Sequence, residues 1–265
     1  VDELHAFIGT ERGKQLQSLM HRMEDAARAR LPRIGLSATL GDMVMAGEFL
    51  RPGGGEHVAL VVSAAQGQEL RVQVRGYCEG APNIVAEPDS PDTEKNAACY
   101  RQIADHLFST LRGSNNLVFP NSRSRVETLA DYLRRRCEAE SAPNEFWPHH
   151  GSLSKELREE TEHALKAGDR PATAICTTTL ELGIDIGDVD LVCQLSSPRA
   201  ISTFLQRVGR SGHAVDGTPK GRLFPLSRDD LVECAALIDA TQRGDLDRII
   251  FPRQPLDVLA QQIVA

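Results

Sequence analysis

Two adjacent carboxylates, Asp2 and Glu3, are the residues at the start of the sequence best suited to chemistry. They stand in the stretch VDELHAF, which also contains His5. After a strand, Asp2 can hold Mg²⁺ while Glu3 orients and deprotonates a water, a workable arrangement for hydrolysing a phosphoanhydride. An isolated pair of this kind is also an ordinary solvated strand end, so its meaning depends on what lies beside it.

Five further polar clusters follow predicted strands or lie on a predicted helix. They are SAT (37–39), PNSRSR (120–125), HHGSLS (149–154), TTTLELGIDIGDVD (177–190) and QRVGRSGH (206–213). In open α/β sheets, ligands bind in the crevice beyond the carboxyl ends of the strands. The polar residues of these clusters are therefore the candidates for a binding site.

Taken singly, the basic and amide residues of these clusters allow two interpretations. Arg207 and Arg210 fall three apart on one helix face and can present two guanidinium groups to one polyphosphate, although two arginines on a surface helix are ordinary. Asn121, Ser122 and Arg123 suit phosphate contact at a helix start. Helix capping explains the Asn and the Ser equally well.

The histidines and glycines of the clusters are also ambiguous. His149 and His150 are neighbours on a predicted strand and point to opposite faces, with no carboxylate or cysteine at ligand spacing, so no metal site is predicted there. Gly183 and Gly187 around Asp185 indicate tight turns that bring the backbone close to a ligand, or turns without one.

Strands alternating with helices must position these clusters. From residue 117 onward, the apolar runs LVFPN, FWPHH, ATAICTT, VDLVCQL and RLFPL predict strands. Helical spacing predicts helices for the segment containing Val126, Leu129, Ala130, Leu133 and Cys137, for SKELREETEHALKAG between a Ser154 cap and Gly168, with Leu157 and Leu165 on its apolar side, and for 199–210. This pattern predicts an α/β fold with parallel sheets covered on both faces.

The first third of the sequence predicts a similar but incomplete lobe. A helix over about 11–30 precedes a buried strand, RIGLSAT (33–39), and HVALVV (57–62) and LRVQVRG (70–76) are expected to be the last strands of this lobe. The acidic, proline-containing stretch EGAPNIVAEPDSPDTEKN predicts an interdomain linker, with a helix beginning near 92–96. The final 30 residues predict a helix, a strand-like RIIFP and the start of another helix, so the chain is expected to be cut at both ends.

Composition excludes several classes of protein. With 41% hydrophobic residues the chain can build proper cores, which excludes global disorder. The formal net charge of -7 argues against bulk attraction to nucleic acid, but not against a local basic groove. No apolar run reaches the roughly 20 residues of a membrane helix. The six cysteines form no CxxC pair and predict reduced core residues of a cytoplasmic protein.

The order and spacing of the clusters are much more specific than any single member. Together they resemble the motifs of the superfamily 2 helicases: VDELH resembles motif II (the DExH box), SAT motif III, LVFPNSR motif IV, TTTLELGIDIGD motif V and QRVGRSGH motif VI. The stretches DELHAFIGTERGKQL, LVFPNSRSRVETLADYL, HHGSLSKELREETEHALKAG, GRLFPLSRDDLVECAALIDA and PLDVLAQQIVA are similar to the Lhr (large helicase-related) family.

This resemblance implies two RecA-like parallel-sheet lobes, the first lacking the half with its phosphate loop. The implied domains are the first lobe (1–78), a linker (79–95), the second lobe (96–235) and the start of a connection to a winged-helix domain (236–265). ATP with Mg²⁺ would bind between the lobes and one nucleic-acid strand across their top. The implied activity is ATP-dependent 3′ to 5′ movement on single-stranded DNA, with unwinding of DNA or RNA:DNA duplexes.

The resemblance also assigns roles to residues of this sequence. The implied catalytic residues are Asp2 as the Mg²⁺ ligand, Glu3 as the residue that polarises water and Arg210 as the arginine finger. The implied nucleotide-binding residues are His5, Gly183, Asp185, Arg207 and His213. Coupling is implied for His5, Ser37, Ala38, Thr39 and Gln206. The implied nucleic-acid contacts are Asn121, Ser122, Arg123, His150, Ser152, Thr178 and Thr179.

Two departures from the family pattern limit what the sequence alone is expected to do. No GxxxxGK[ST] loop occurs in the 265 residues, so this stretch alone is expected neither to hold ATP tightly nor to hydrolyse it. Motif VI ends in His213 where many relatives have Arg, which leaves Arg210 as the main finger. Two alternatives therefore stay open: a non-catalytic binding or scaffolding module, and an ATPase that remodels RNA or protein complexes.

Overall fold

The computed structural model describes residues 1–37, 41–61, 69–77, 94–181, 186–212, 217–247 and 255–264, with the backbone alone for 94–98. The chain divides into two compact units. Unit 1 contains Val1–Gln66 and Gly244–Ala265, and unit 2 contains Gly67–Arg243. The sequence-based boundaries differ, because they assign residues 236–265 to a connection beyond the second lobe.

Helices and strands alternate through most of the described chain. The helices are α1 (Glu11–Ala27), α2 (Met43–Leu50), α3 (Glu94–Leu111), α4 (Arg123–Ala139), α5 (Lys155–Ala167), α6 (Ile201–Val208), α7 (Arg228–Arg243) and α8 (Leu256–Val264). The strands are β1 (Arg71–Val74), β2 (Asn116–Pro120), β3 (Phe146–His149), β4 (Thr173–Cys176), β5 (Leu191–Leu195) and β6 (Lys220–Phe224). Helix α2 was not predicted from the sequence.

All six strands lie in unit 2 and form one parallel sheet with the order β1-β6-β5-β2-β4-β3. The central strand β2 lies between β4 and β5, with Leu117 opposite Ala174 on one side and Val192 on the other. Each residue of β2 and β4 is buried, as near-continuous apolar runs predict for strands covered on both faces. The expected α/β fold with a parallel sheet is confirmed.

The helices of unit 2 cover both faces of this sheet. Successive side chains of a strand point to opposite faces, and on one face Val118 packs with Leu107 of α3 and Leu133 of α4. On the other face Phe119 packs with Phe204 of α6. These side chains are at most 1% exposed, and burying each stabilises the unit by roughly 1.5–3 kcal/mol.

Helices α4 and α5 begin and end where local chemistry predicts. Ser122 caps α4 by accepting a hydrogen bond from the Arg125 N–H, and Ser154 caps α5 in the same way through the Leu157 N–H. Gly168 ends α5 with a φ of 65°, a conformation that favours glycine. The buried residues of α4 are the five predicted, whereas Leu157 of α5 is 50% exposed and was wrongly expected on its apolar side.

The placement of LRVQVRG in the first lobe was wrong. Strand β1 pairs with β6 of unit 2, with Arg71 opposite Lys220, and the Arg75 N–H donates to the Leu223 carbonyl at 2.9 Å. Strand β1 lies at the edge of the sheet, and its residues alternate between exposed and half-buried, as the alternating sequence of this segment predicts. The pattern specifies a half-covered strand but not the sheet that it joins.

Two further strands were predicted in unit 1, and neither is assigned among its described residues. Gly55–His57 forms a 3₁₀ turn, and Val61 beyond it is 90% exposed. Leu36 of RIGLSAT exchanges backbone hydrogen bonds with Val1 and Leu4 at 2.9 and 2.8 Å, so this segment runs alongside the DELH cluster. It was expected to be buried, but Ile34 is 71% exposed. Residues 79–93 of the predicted linker (79–95) and RIIFP (248–252) lie outside the described residues.

The five described cysteines, Cys99, Cys137, Cys176, Cys193 and Cys234, are buried thiols that form no disulfide with one another. Burial raises the pKa of Cys193 and of Cys234 to about 12, which keeps both thiols protonated and unreactive. This agrees with their interpretation as reduced core residues. None of the helices in the described ranges combines the length and the apolar character that a membrane span requires.

The carboxylate of Glu24 accepts hydrogen bonds from three separate residues of unit 1, an arrangement that we call the Glu24 clamp. Its two carboxylate oxygens accept from Arg33 Nη2 and Arg51 Nη1, each at 2.7 Å. The Leu31 N–H donates to the same carboxylate at 2.9 Å, and Arg33 Nη1 donates to the Leu50 carbonyl. The clamp therefore ties α1 to the end of α2 and to the segment that leads to Ser37.

We expect Glu24→Gln to lower the Tm of unit 1 at neutral pH. The hydrogen bond from Arg51, with help from Leu31 and Arg33, lowers the pKa of Glu24. A depressed folded-state pKa stabilises the fold above the unfolded value of about 4.3 and loses this effect as the pH falls through the folded value. The Tm gap between wild type and variant, measured by circular dichroism, should therefore shrink below about pH 4.

The matched control for this clamp is Glu56→Gln. The side chain of Glu56 is 80% exposed, and its one ion pair among the described residues is with His57. It should leave the Tm unchanged. A Tm difference between wild type and Glu24→Gln that stays constant from pH 7 to pH 3 would contradict a stabilising role for the ionised carboxylate.

Candidate functional site

In unit 1, the DELH cluster forms a turn anchored by one buried side chain. Leu4 is 2% exposed and begins a 3₁₀ turn, Leu4–Ala6, while Asp2 is exposed and Glu3 is partly exposed. Glu3 has φ 49° and ψ 48°, a left-handed conformation that is uncommon for a residue other than glycine. Such strained residues occur mainly where the surroundings hold them for a functional purpose. Both carboxylates of the turn are accessible to solvent, whereas Leu4 between them and His5 is buried.

His5 connects the DELH cluster to the SAT cluster. Its Nδ1 lies 2.9 Å from Ser37 Oγ, and its Nε2 lies 3.6 Å from Glu3 Oε2. The structure thus brings Glu3, which is expected to polarise water, together with His5 and Ser37, which are expected to couple the nucleotide site to the strand. Ala38 and Thr39 of the same cluster lie outside the described residues.

The carboxylate set of this turn suits a magnesium ion. Asp2 is exposed, and Oδ1 accepts the Glu3 N–H at 2.9 Å, which leaves its other oxygen for a ligand. Mg²⁺ in nucleotide enzymes is typically held by one or two carboxylates, with water and substrate phosphates completing the shell. Within the described ranges, no group of three or more His, Cys, Asp and Glu side chains could hold a metal ion.

In unit 2, polar side chains gather beyond the carboxyl ends of β2, β3 and β4. Asn121, Ser122 and Arg123 directly follow β2 and are exposed, as are Ser152 after β3 and Thr178 after β4. Arg123 Nη1 donates to Ser152 Oγ at 2.8 Å, which joins two of the predicted clusters. A guanidinium beside hydroxyl groups is an arrangement that binds phosphate.

His150 is placed differently from the expectation. It is 1% exposed, Nε2 lies 3.0 Å from Glu127 Oε1, and Nδ1 accepts the Ser152 N–H. With both nitrogens engaged below the surface, His150 does not suit direct contact with a strand. It instead fixes the backbone that carries Ser152.

His149 orients Thr179, the last residue in the set of expected nucleic-acid contacts. His149 is also 1% exposed, with Nδ1 2.7 Å from Thr179 Oγ1 and Nε2 3.0 Å from Glu162 Oε1. Burial lowers the pKa of His149, and the hydrogen bond that Glu162 accepts from its ring acts in the opposite direction. Thr179 is half-buried, so Thr178 beside it is the more accessible hydroxyl.

Arg207 lies inside unit 2, which corrects the expectation that its guanidinium faces a polyphosphate together with Arg210. Its Nε and Nη2 donate to Glu181 Oε2 at 3.2 and 2.9 Å, and Nη1 donates to Gln194 Oε1 at 2.6 Å. The guanidinium carbon also lies 4.7 Å from the centroid of the Phe119 ring. Arg207 is 7% exposed, so these three hydrogen bonds belong to a buried network.

Arg210 lies just beyond α6 and is half-buried. Its Nε and Nη2 both donate to the Glu181 carbonyl, at 3.1 and 2.8 Å. Gln206, one turn earlier, is half-buried. Gly183, Asp185 and His213 lie outside the described residues.

Gly187 has a φ of 75°, which confirms the tight turn predicted at that position. Sequence reasoning missed Glu127, Glu162, Glu181 and Gln194 as partners of these side chains. The only available signal was Gln194, a polar residue inside the apolar run VDLVCQL.

Comparisons with known proteins agree with the observed α/β fold. The model of the helicase conserved C-terminal domain matches residues 95–215. A structure of Mycobacterium smegmatis helicase Lhr bound to ssDNA and AMP-PNP superimposes with a TM-score of 0.85 at 33% identity, covering 100% of this chain and 33% of that one. The DUF1998 helicase MrfA, at TM-score 0.70 and 19% identity, shares the fold. The chain belongs to the superfamily 2 helicases, and unit 2 has the RecA-like fold of their C-terminal lobe.

Its closer relatives narrow this class. The ATP-dependent helicase Lhr-Core of Methanothermobacter thermautotrophicus is 37% identical over 99% of this chain. The Lhr helicase/uracil glycosylase of Escherichia coli is 34% identical over 100% of it. Within superfamily 2, the chain belongs to the Lhr family. It spans 30% of the first of these relatives and 19% of the second.

Proposed function

We propose that this chain serves an ATP-dependent translocase that moves 3′ to 5′ on single-stranded DNA and unwinds DNA or RNA:DNA duplexes. The observation that carries the proposal is the exposed cluster of Asn121, Arg123, Ser152 and Thr178 at the carboxyl ends of three adjacent strands. Such a cluster grips phosphates and leaves the bases unread, as a motor that moves along any sequence requires. The single-stranded DNA in the related M. smegmatis structure supports the choice of ligand.

The DELH turn would carry the hydrolytic chemistry. Asp2 would hold Mg²⁺, which neutralises charge on the phosphates when it is bound. Glu3 would orient the attacking water and accept its proton. His5 and Ser37, in contact at 2.9 Å, together with Ala38, Thr39 and Gln206, would relay the state of the nucleotide to the strand-binding residues.

Motifs V and VI would supply the remaining nucleotide contacts. Arg210 would stabilise charge on the transferred phosphoryl group as an arginine finger in cis. Gly183 and Asp185 would lie near the nucleotide sugar, and His213 near the phosphates. Arg207 would act from inside unit 2 by holding Glu181, whose carbonyl accepts two hydrogen bonds from Arg210.

ATP hydrolysis and strand displacement by the full-length gene product test this proposal. We expect single-stranded DNA to stimulate ATPase activity and a 3′ tail, but not a 5′ tail, to support displacement. Duplexes of DNA, RNA and RNA:DNA should be compared side by side. Movement on RNA tracks alone would favour the RNA-remodelling ATPase, and displacement only from 5′ tails would overturn the polarity.

A non-catalytic binding module is the second candidate, because no GxxxxGK[ST] loop occurs in the 265 residues. Such a loop is what holds the phosphates of ATP in these enzymes. Reading the codons upstream of Val1 separates the two. An intact GKT or GKS there supports the translocase, and an uninterrupted coding sequence without one supports the binding module.

A further inference from the structure

The buried amide of Gln194 is hydrogen-bonded on every side. Gln194 is 1% exposed near the carboxyl end of β5, where an unpaired amide would destabilise the fold. Its Oε1 accepts from Arg207 Nη1 at 2.6 Å. Its Nε2 donates to Asn121 Oδ1 at 3.1 Å and to the carbonyls of Leu195 and Ser196 at 3.0 and 2.9 Å. Because a cationic donor lies on one side and carbonyls on the other, only one orientation of the amide fits.

The inner side of Gln194 leads to the proposed arginine finger. Arg207 is held between Gln194 and the Glu181 carboxylate, and the carbonyl of the same Glu181 receives two hydrogen bonds from Arg210. A shift of the Arg207 guanidinium therefore displaces Glu181, to which Arg210 is fixed. Glu181 is itself 8% exposed, so it has little room to compensate.

The outer side of Gln194 leads to the proposed strand-binding cluster. Asn121 is exposed, accepts from Gln194 and donates through Nδ2 to the Ser197 carbonyl at 2.8 Å. The loop that carries Ser197 is fixed in turn by Asp230, which accepts the Ser197 N–H at 2.7 Å. These bonds leave one Asn121 N–H for a ligand. A phosphate that takes it would pull directly on the bond to Gln194.

We propose that Gln194 is a positioning residue that links strand binding at Asn121 to the placement of Arg210, through Arg207 and Glu181. This rests on the function proposed above. Five residues from four separate segments form one continuous series of hydrogen bonds, and Gln194 is the member that connects the strand side to the finger side. Such a continuous series of hydrogen bonds is one physical route by which the binding of a ligand at one site can affect another site.

The test is Gln194→Met in the full-length gene product, which keeps the size of the side chain but removes its amide. We expect the maximal DNA-stimulated turnover to fall about tenfold, within the usual range of coupling between sites. The DNA concentration for half-maximal stimulation and the unstimulated ATPase rate should each change less than about twofold, because Gln194 touches neither ligand.

Asn116→Leu is the matched control. Asn116 is also a 1% exposed amide, lies at the opposite end of the sheet on β2, and donates to the Leu111 carbonyl and to Thr173 Oγ1. It should lower the Tm comparably without lowering the stimulated turnover. An equal loss of stimulation in the two variants would overturn the proposal and leave Gln194 a purely structural residue.

A second measurement is independent of ATP hydrolysis. In the 265-residue chain, the NMR signal of the Arg207 Nε–H should shift when a single-stranded oligonucleotide is added. The shift should disappear in Asn121→Leu. Because Asn121 is exposed, this variant should fold even if Gln194→Met does not. An Arg207 signal that responds in the 265-residue chain, together with a full-length gene product that lacks DNA-stimulated ATPase activity, would support the link while refuting the proposed function. A signal that ignores the oligonucleotide, or moves equally in Asn121→Leu, would refute the link.

Discussion

Replacing Glu3 with Gln is expected to lower DNA-stimulated ATP hydrolysis by the full-length gene product by about 10²–10⁴-fold, the usual contribution of a general base. Gln has the shape of Glu but cannot accept a proton from water at neutral pH. The backbone of the turn should stay in place, because buried Leu4 and its hydrogen bond to the Leu36 carbonyl anchor it. The defect should therefore appear in kcat, with the KM for ATP nearly unchanged.

Glu11→Gln is the control for this substitution. Glu11 is an exposed carboxylate in the first turn of α1, in the same unit as Glu3. It should leave turnover at the wild-type rate. Near wild-type turnover in Glu3→Gln would show that the left-handed Glu3 has no part in proton transfer, and with it the translocase proposal would lose its hydrolytic centre.

Replacing Arg210 with Ala is expected to lower stimulated turnover by about 10³-fold or more, as the loss of an arginine finger does. Arg210→Lys should rescue little of this. A lysine keeps the charge but lacks the planar fork with which Nε and Nη2 both reach the Glu181 carbonyl, so its ammonium would not be held in the same place. Single-turnover kinetics, with the enzyme in excess over ATP and with saturating single-stranded DNA, would measure the chemical step directly.

Two comparisons separate catalysis by Arg210 from support of the fold. Arg135→Lys alters an exposed arginine on α4 whose side chain is 72% exposed, and it should change neither turnover nor Tm. Arg207→Met removes one partner of the buried pair with Glu181, a loss that typically costs about 3–5 kcal/mol, so it should lower the Tm strongly. If Arg210→Ala lowered the Tm as much and kcat no further, Arg210 would be a structural residue.

The sequence predicted those elements whose signals are local. The buried residues of α4 recur at helical spacing within one segment, and its Ser122 cap stands next to them, so both could be inferred without any other part of the chain. The strand ends that carry Asn121, Ser152 and Thr178 were predictable for the same reason. Proximity of His5 to Ser37 followed from the resemblance to ordered motifs rather than from spacing.

What the sequence could not provide depends on partners far away in the chain. The alternation in LRVQVRG specifies a half-covered strand, but its position beside β6 depends on packing of the whole sheet. The burial of His150 depends on Glu127 from a different helix, and that of Arg207 on both Glu181 and Gln194. Because a buried arginine and an exposed one have the same local sequence signal, the expectation for Arg207 was wrong.

The pairing of β1 with β6 also governs how unit 2 can fold. The first strand of the unit in sequence is the neighbour of the last one, so its register is completed only when Lys220–Phe224 is available. During synthesis, β2 to β5 can assemble before β6 has been made, and until then β1 has no strand to pair with. A chain shortened before Lys220 therefore loses two strands of the sheet, although it has lost the sequence of only one. The polar clusters at the carboxyl ends of β2 to β4 can therefore form before β6 and the edge strand β1 complete the sheet.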